Sequence, residues 1–297
     1  MKGKEKLCPG FLASESFFPL LSDERRLFAA LGQVLEDGFY SRLEISAQKT
    51  PEGRRELRRL AERVPVTQWI TNDLNSLGLN PSTVDSDLRK KTTEKMRELV
   101  GIAAESGADR IAFISCQDPG EALRAEAAKG LAEVICTVAQ DAQRAGITLL
   151  LEPLDRGAHK NNLIGPTSEA VALLEQVHQS AENVLLSWDS AHVALNGEDV
   201  TQSLSDAFPY VGQIHLANAI LDRRSPNFGD WHMAMGAPGF LTVEAAAGIA
   251  ACAVRHLSGE ETLGITVECR SASEDVMWKN IENNRAFISA VLEQEVS

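Results

Sequence analysis

Residues 147–152 read ITLLLE, a short apolar run that ends on Glu152. Three later runs have the same form: NVLLSWD ends at Asp189, YVGQIH at His215 and GITVE at Glu268. Runs of this length and composition are typical of buried strands. Because equivalent ends of successive parallel strands meet at one edge of a sheet, we expect the four final side chains to converge. Three carboxylates and one imidazole would form a binding site for a hard divalent cation.

Short apolar runs alternate with longer amphipathic segments along almost the whole chain, which indicates parallel sheet and an α/β fold. Eight such units in 297 residues favour a closed (β/α)8 TIM barrel, and we predict a single domain over residues 1–297. No GxGxxG follows a strand, so a dinucleotide-binding Rossmann fold is disfavoured. The predicted strands cover residues 6–8, 39–45, 66–70, 110–115, 147–152, 184–189, 211–215 and 265–268.

The predicted helices begin and end at recognisable capping residues. Ser22 is the expected N-cap of the first, and Gly107 and Gly146 are expected stops. The helices cover residues 22–37, 51–63, 82–106, 120–145, 167–179, 200–208, 242–257 and 273–292. The longest irregular stretch, at about 216–240, is predicted to be a loop over the active-site face.

Composition excludes several classes of partner. The formal net charge of −13 disfavours nucleic acid and anionic membranes, and no apolar stretch is long enough to cross a bilayer. The five cysteines are scattered without a CxxC pair, and the N-terminus lacks the apolar region of a signal peptide. We therefore predict reduced thiols, a cytoplasmic location and a small, neutral or weakly charged ligand.

Ligand chemistry narrows the metal. Three carboxylates and a neutral imidazole offer mostly oxygen donors. Such a set suits Mn²⁺, Mg²⁺ or Co²⁺ and differs from the thiolate-rich sites that bind zinc. Mn²⁺ is the preferred prediction, and Zn²⁺ remains an alternative. A neutral polyol or ketose would supply the remaining oxygen ligands.

The segments LLLEP, SWDSAH, IHLAN and TVECR resemble the metal-binding strand ends of the sugar phosphate isomerase/epimerase superfamily. Its members are xylose isomerase-like TIM barrels, among them ketose 3-epimerases, hydroxypyruvate isomerases and keto-inositol dehydratases. The resemblance implies a sugar isomerase or epimerase that moves a proton beside a carbonyl through a metal-stabilised enediolate. In such enzymes Glu152 and Glu268 would both bind the metal and act as the acid/base pair.

Six further residues are candidates for substrate contact. His192 follows Asp189 by three residues, and the resemblance implies that it touches a substrate hydroxyl. Arg270 would share the barrel mouth with Glu268 if the strand continued, although pairing with an acidic residue is an equal alternative. His232 either forms a further acid/base pair with Asp230 or is a surface histidine of the loop. The remaining candidates lie in the same loop or near early strand ends: Asn218, Trp69 and Glu44.

Two other functions stay open. One is a lyase on the same metal site, which would dehydrate a keto-polyol or keto-inositol or cleave a 3-keto-sugar conjugate by β-elimination. The other is a non-catalytic barrel that binds metal or sugar. The nucleic-acid branch of the superfamily needs histidines from early strands, whereas the first histidine here is His159. Exposed apolar residues on the helices would permit a homo-oligomer.

Overall fold

The computed structural model of the protein describes residues 3–294. Eight parallel strands form a closed barrel, so the predicted fold class is confirmed. These strands are β1 (Leu7–Leu12), β2 (Arg42–Ser46), β3 (Val66–Trp69), β4 (Arg110–Ile114), β5 (Thr148–Glu152), β6 (Val184–Asp189), β7 (Val211–Ala217) and β10 (Leu263–Glu268), while β8 (Ala219–Ile220) and β9 (Gly229–Asp230) form a separate small pair. Around the barrel the strand order is β1-β10-β7-β6-β5-β4-β3-β2.

Helices separate the strands along the chain. Short 3-10 turns lie at Gly3–Lys6, Phe18–Leu20 and Phe208–Tyr210. No helix within residues 3–294 combines the length and the apolar composition needed to cross a membrane. The α-helices are α1 (Ala13–Ser16), α2 (Glu24–Val34), α3 (Pro51–Ala61), α4 (Thr71–Ser76), α5 (Ser86–Ser106), α6 (Glu121–Arg144), α7 (Thr167–His178), α8 (Ser190–Leu195), α9 (Val200–Ala207), α10 (Val243–His256) and α11 (Glu274–Gln294).

The chain divides into two compact units, whose boundaries fall inside strands β2 and β6. One unit is Ile45–Ser187, in which β4 pairs with both β3 and β5. The other unit holds residues up to Glu44 and from Trp188 onward, and in it β10 pairs with both β1 and β7. Each strand interior is almost entirely buried, which explains why the strands read as continuous apolar runs.

Strand β1 is longer than predicted. It runs to Leu12 rather than ending near residue 8, and its Gly10 pairs with Thr266 of β10. Pro9 and Gly10 are residues that ordinarily argue against a strand interior, so the sequence pattern stopped short. Gly10 is required by close approach, because a Cβ placed there would lie 2.0 Å from Thr266 Oγ1.

The predicted caps are partly corrected. Asp23, not Ser22, caps α2, because its side chain accepts a hydrogen bond from the Arg26 backbone N–H. Gly107 ends α5 in the left-handed conformation, as predicted. Gly146 has a φ of +71° just beyond α6.

The stretch at 216–240 is more ordered than predicted. Strand β7 continues to Ala217, and the antiparallel pair of β8 and β9 follows. Asn218 fixes the rest of this segment: its Nδ2 donates to the carbonyls of Ala234 and Gly236, 2.8 and 2.7 Å away. Two-residue strands such as β8 and β9 carry no alternation of apolar and polar residues, so the sequence offered no sign of them.

The close approach of β1 and β10 makes a stability prediction. Replacing Gly10 by Ala should lower the free energy of unfolding by about 1–3 kcal/mol, because the added methyl group forces Thr266 to move in a packed site. Gly248→Ala is the matched control, since that glycine lies inside α10 with nothing within 4 Å of an added Cβ. It should stabilise by about 0.5–1 kcal/mol. Urea denaturation measures both, and equal stability of the two variants would contradict the packing described.

Candidate metal centre and its surroundings

Three predicted ligands come together at the carboxyl ends of neighbouring strands. Asp189 ends β6, His215 lies near the end of β7 and Glu268 ends β10. Each offers a ligand atom, and these atoms lie within 4.8 Å of one another. Asp189 and His215 are buried, and the Glu268 side chain is only 13% exposed. This donor set, oxygen-rich with one imidazole, fits a divalent cation.

Asp189 has a second local task. Its Oδ1 accepts hydrogen bonds from the backbone N–H groups of Ala191 and His192, at 2.8 and 3.0 Å. The carboxylate therefore caps α8, which begins at Ser190. Capping fixes the orientation of the carboxylate before any ligand arrives.

His215 lies between two carboxylates. Its Nδ1 is 2.8 Å from Glu268 Oε2, and its Nε2 is 3.0 Å from Glu44 Oε2. Gln213 also donates from Nε2 to the same Glu44 oxygen, at 2.8 Å. An imidazole that binds a metal through one nitrogen commonly donates its other N–H to a carboxylate, which sets the tautomer and the ring orientation. Glu44 occupies that place, so the structure gives it a role in orienting His215 that the sequence did not indicate.

A second cluster surrounds His232. Its Nδ1 lies 2.9 Å from Glu15 Oε2 and 3.3 Å from Glu268 Oε1, and its Nε2 lies 3.4 Å from Asp230 Oδ2. The side chain is only 14% exposed. The alternative that His232 is an ordinary surface histidine of the loop is therefore wrong. It sits instead beside one of the predicted catalytic glutamates.

The charges of this cluster shift two pKa values. Burial alone would lower the pKa of His232, but the negative charges of Glu268, Asp230 and Glu15 outweigh it and raise that pKa to about 11. For Glu268, burial would raise the pKa, and the neighbouring His232 and His215 more than compensate and lower it. The surrounding carboxylates thus favour the protonated form of His232.

Arg270 pairs with an acidic residue, Glu15, which was one of its two predicted alternatives. Its Nε and Nη2 donate to the two carboxylate oxygens of Glu15, at 2.6 and 2.9 Å. Strand β10 stops at Glu268, so the alternation that would carry Arg270 to the barrel mouth does not extend that far. The guanidinium also lies 4.7 Å from the ring centroid of Phe18, within cation–π range.

The remaining candidates are placed as follows. His192 is buried in α8, with its Nε2 3.8 Å from Asp230 Oδ2. Asn218 Oδ1 accepts from the Leu241 N–H, so the amide is engaged with the backbone at both ends. In the other unit, Glu152 is buried at the end of β5, and Trp69 is half-buried at the end of β3. Substrate contact stays a prediction for six residues: His192, Asn218, Trp69, Arg270, His232 and Glu44.

Glu15 was missed by sequence reasoning. Glu15 follows β1 directly, in the short helix α1, at the same barrel end as the other acidic side chains. Because the predicted first strand stopped near residue 8, Glu15 did not register as a residue at a strand end. Asp230 is only 2% exposed, a burial that an isolated loop aspartate does not indicate.

Comparisons with known proteins identify a family and several similar structures. A family model described as xylose isomerase-like TIM barrel matches residues 33–246. No curated protein sequence gives a significant match. The chain resembles the structure of an L-ribulose 3-epimerase, with 19% identity, a TM-score of 0.71 and coverage of 96% of this chain and 94% of the other.

Two other solved structures are similar. The zinc-bound IOLI protein has 15% identity and a TM-score of 0.71, with all of both chains covered. The 3-keto-D-glucoside 4-epimerase YcjR from E. coli has 17% identity and a TM-score of 0.69, covering 96% of this chain and 99% of the other. At these identities the likeness shows the shared fold.

The cluster around His232 predicts an unusual protonation state. In the metal-free protein the imidazole should remain doubly protonated at pH 8, because its pKa is raised from 6.5 to about 11. A raised folded-state pKa means that its contribution to stability is complete below pH 6.5 and is lost as pH rises towards about 11. Long-range ¹H–¹⁵N spectra of ¹⁵N-histidine-labelled protein would show the imidazolium pattern, which His232→Asn should remove. A neutral-imidazole pattern at pH 8 would contradict the raised pKa of His232.

Proposed function

The chain belongs to the xylose isomerase-like TIM barrel family, and from that premise we propose that it is a divalent-metal-dependent sugar isomerase or epimerase. The observation that carries the proposal is the convergence of Asp189, His215 and Glu268 at the strand ends of the barrel. A structural role alone does not explain why buried acidic groups gather where this fold holds its active sites.

The proposed ligand set has four members. The residues that would hold the ion are Glu152, Asp189, His215 and Glu268. Strand register supports the inclusion of Glu152: Leu151 pairs with Leu186, so Glu152 lies beside Ser187, two residues before Asp189 and on the same face of the sheet. In β10, Thr266 pairs with His215, which puts Glu268 on the same face as His215. Mn²⁺ remains the preferred ion because carboxylate oxygens dominate the set, with Mg²⁺, Co²⁺ and Zn²⁺ as alternatives.

The proposed reaction is a proton transfer between carbon and a glutamate. A bound divalent ion would supply the positive charge that polarises the substrate carbonyl. Glu268 or Glu152 takes the proton from the carbon beside that carbonyl, and the electron pair of the broken C–H bond moves toward the carbonyl oxygen. The other glutamate then returns a proton. Return to the opposite face of the same carbon inverts it, and return to the neighbouring carbon interconverts ketose and aldose.

The surrounding residues serve this transfer. Glu44 holds His215, and the backbone amides of α8 hold Asp189, so both ligands are fixed before substrate binds. His192 is proposed to contact a substrate hydroxyl from the first turn of α8. We leave Trp69, Asn218 and Arg270 as proposed substrate contacts, although Arg270 would have to share its guanidinium with Glu15.

The substrate class follows from the structural relatives together with charge. Those with a stated substrate include an L-ribulose 3-epimerase, a D-psicose 3-epimerase solved with D-tagatose and a 3-keto-D-glucoside 4-epimerase. A site rich in carboxylates disfavours acidic substrates. We therefore propose a neutral ketose or keto-glycoside.

A lyase remains the second candidate function, because His232 lies beside Glu268 and could act as its acid. Elimination needs an acid that protonates the leaving group, and His232 is a cationic donor 3.3 Å from Glu268. The two activities differ in product: an epimerase or isomerase conserves the substrate formula, whereas a lyase releases water or an alcohol. A non-catalytic barrel would show neither product.

The proposal predicts a large effect of one isosteric change. Glu152→Gln should lower kcat at least about 100-fold, because an amide cannot exchange a proton with carbon. Interconversion of neutral ketoses and keto-glycosides, followed by NMR with added Mn²⁺, measures it. Glu282→Gln is the matched control, because Glu282 is an exposed residue of α11 paired only at the surface with Lys279, and it should leave kcat unchanged. Full activity of Glu152→Gln would refute the two-glutamate mechanism.

A further inference from the structure

The two oxygens of Glu268 face different histidines. Oε2 lies 2.8 Å from His215 Nδ1, on the side of the metal ligands. Oε1 lies 3.3 Å from His232 Nδ1, on the side of the loop. The carboxylate therefore has one short contact, to His215, and one longer ion-pair contact, to His232, and both bear on its direction.

His232 is itself held in place from several sides. Its backbone N–H donates to Asp230 Oδ1 at 2.9 Å, and its carbonyl accepts from the Arg270 N–H at 2.8 Å. The residue has a φ of +51°, a left-handed conformation that is uncommon for a residue other than glycine. Strained backbone of this kind persists only where surrounding contacts over-determine it, and it gathers at functional sites.

Glu15 connects this histidine to the end of β10. One carboxylate oxygen, Oε2, is shared by His232 Nδ1 and Arg270 Nε, and the other accepts from Arg270 Nη2. The Glu15 carbonyl also accepts from the Ser271 N–H at 3.1 Å. The contacts therefore run continuously from Arg270 through Glu15 to His232 and on to Glu268.

We propose that His232 is a positioning residue for Glu268. It contacts Oε1, the oxygen that faces away from His215, and so directs this oxygen, which exchanges the proton, at the substrate carbon. The chemistry of this role rests on the proposed function. Proton transfer from carbon is sensitive to aim, and a displacement of about 1 Å costs about 100-fold in rate. Asp230 and Glu15 fix the position of the imidazole, and Arg270 fixes the position of the Glu15 carboxylate.

The same cluster could be interpreted as a second cation site, because Glu15, His232 and Glu268 have ligand atoms within 4.8 Å of one another. The position of Arg270 argues against that interpretation. Its guanidinium already engages both oxygens of Glu15 and lies 3.3 Å from His232 Nδ1. A metal ion there would have to displace a fixed positive charge.

His232→Asn is the decisive variant, because asparagine tolerates the left-handed backbone but is too short to reach Glu268. We expect kcat to fall about 10- to 100-fold, with KM and the Mn²⁺ dissociation constant, measured by calorimetry, each within about threefold of wild type. Arg224→Ala is the loop control, since Arg224 is exposed in the same segment and pairs with Asp222 alone among the ion pairs described. It should change none of the three.

Two results would overturn the proposal. One is a kcat of His232→Asn within about twofold of wild type. The other is loss of Mn²⁺ affinity greater than about tenfold, which would place His232 in the metal site. If His232→Asn does not fold, Glu15→Gln replaces it: it keeps the shape of the contact, weakens the hold on His232 and should lower kcat severalfold at unchanged Mn²⁺ affinity. An unchanged kcat of Glu15→Gln would then overturn the proposal.

Failure of the proposed function gives a different result. If wild-type protein turns over no ketose or keto-glycoside, the reaction assignment fails, and crystal structures of the Mn²⁺-loaded wild type and His232→Asn decide the positioning claim. The claim predicts that Glu268 Oε1 remains within hydrogen-bond distance of His232 in the wild type and that the carboxylate turns in the variant. An identical Glu268 in both would overturn it.

Discussion

Buried negative charge is the constraint on which the site depends. Strands of the barrel bring Glu44, Asp189 and Glu268 into the interior, where an unpaired carboxylate is costly. Each is compensated by donors from within the chain: Glu44 by Gln213 and His215, and Asp189 by backbone amides. Glu268 lies between His215 and His232. These contacts within the chain compensate the buried carboxylates, which would otherwise be costly to hold in the interior.

The strand ends were predictable from sequence because strands of a parallel barrel are buried on both faces and read as continuous apolar runs. A polar residue that closes such a run is conspicuous, and Glu152, Asp189, His215 and Glu268 each close or nearly close one. Strand β1 escaped the same reasoning because Pro9 and Gly10 interrupt it. Gly10 is there for close packing against Thr266, which is a property of the folded sheet and not of the local sequence.

The surroundings of the ligands were not predictable, since they depend on interactions between distant residues. Arg270 and Glu15 are 255 positions apart, and Glu44 and His215 are 171 apart. A search for local motifs finds the individual residues without their partners, so the contacts of Glu44 with His215 and of His232 with Glu15 had no signal in the sequence. Relatives at 15–19% identity share the fold. A shared fold does not fix the reaction, which depends on the particular side chains of the site.

Solvent deuterium incorporation tests the central claim most directly. Protein stripped of metal and then loaded with Mn²⁺ is incubated in D₂O with neutral ketoses and keto-glycosides, and NMR follows the C–H groups beside the carbonyl. The account predicts that one such position exchanges for deuterium only when the metal is present, since the proton passes through a glutamate that exchanges with solvent. A substrate that is converted with complete retention of its own hydrogen, or converted equally well without metal, would contradict the account.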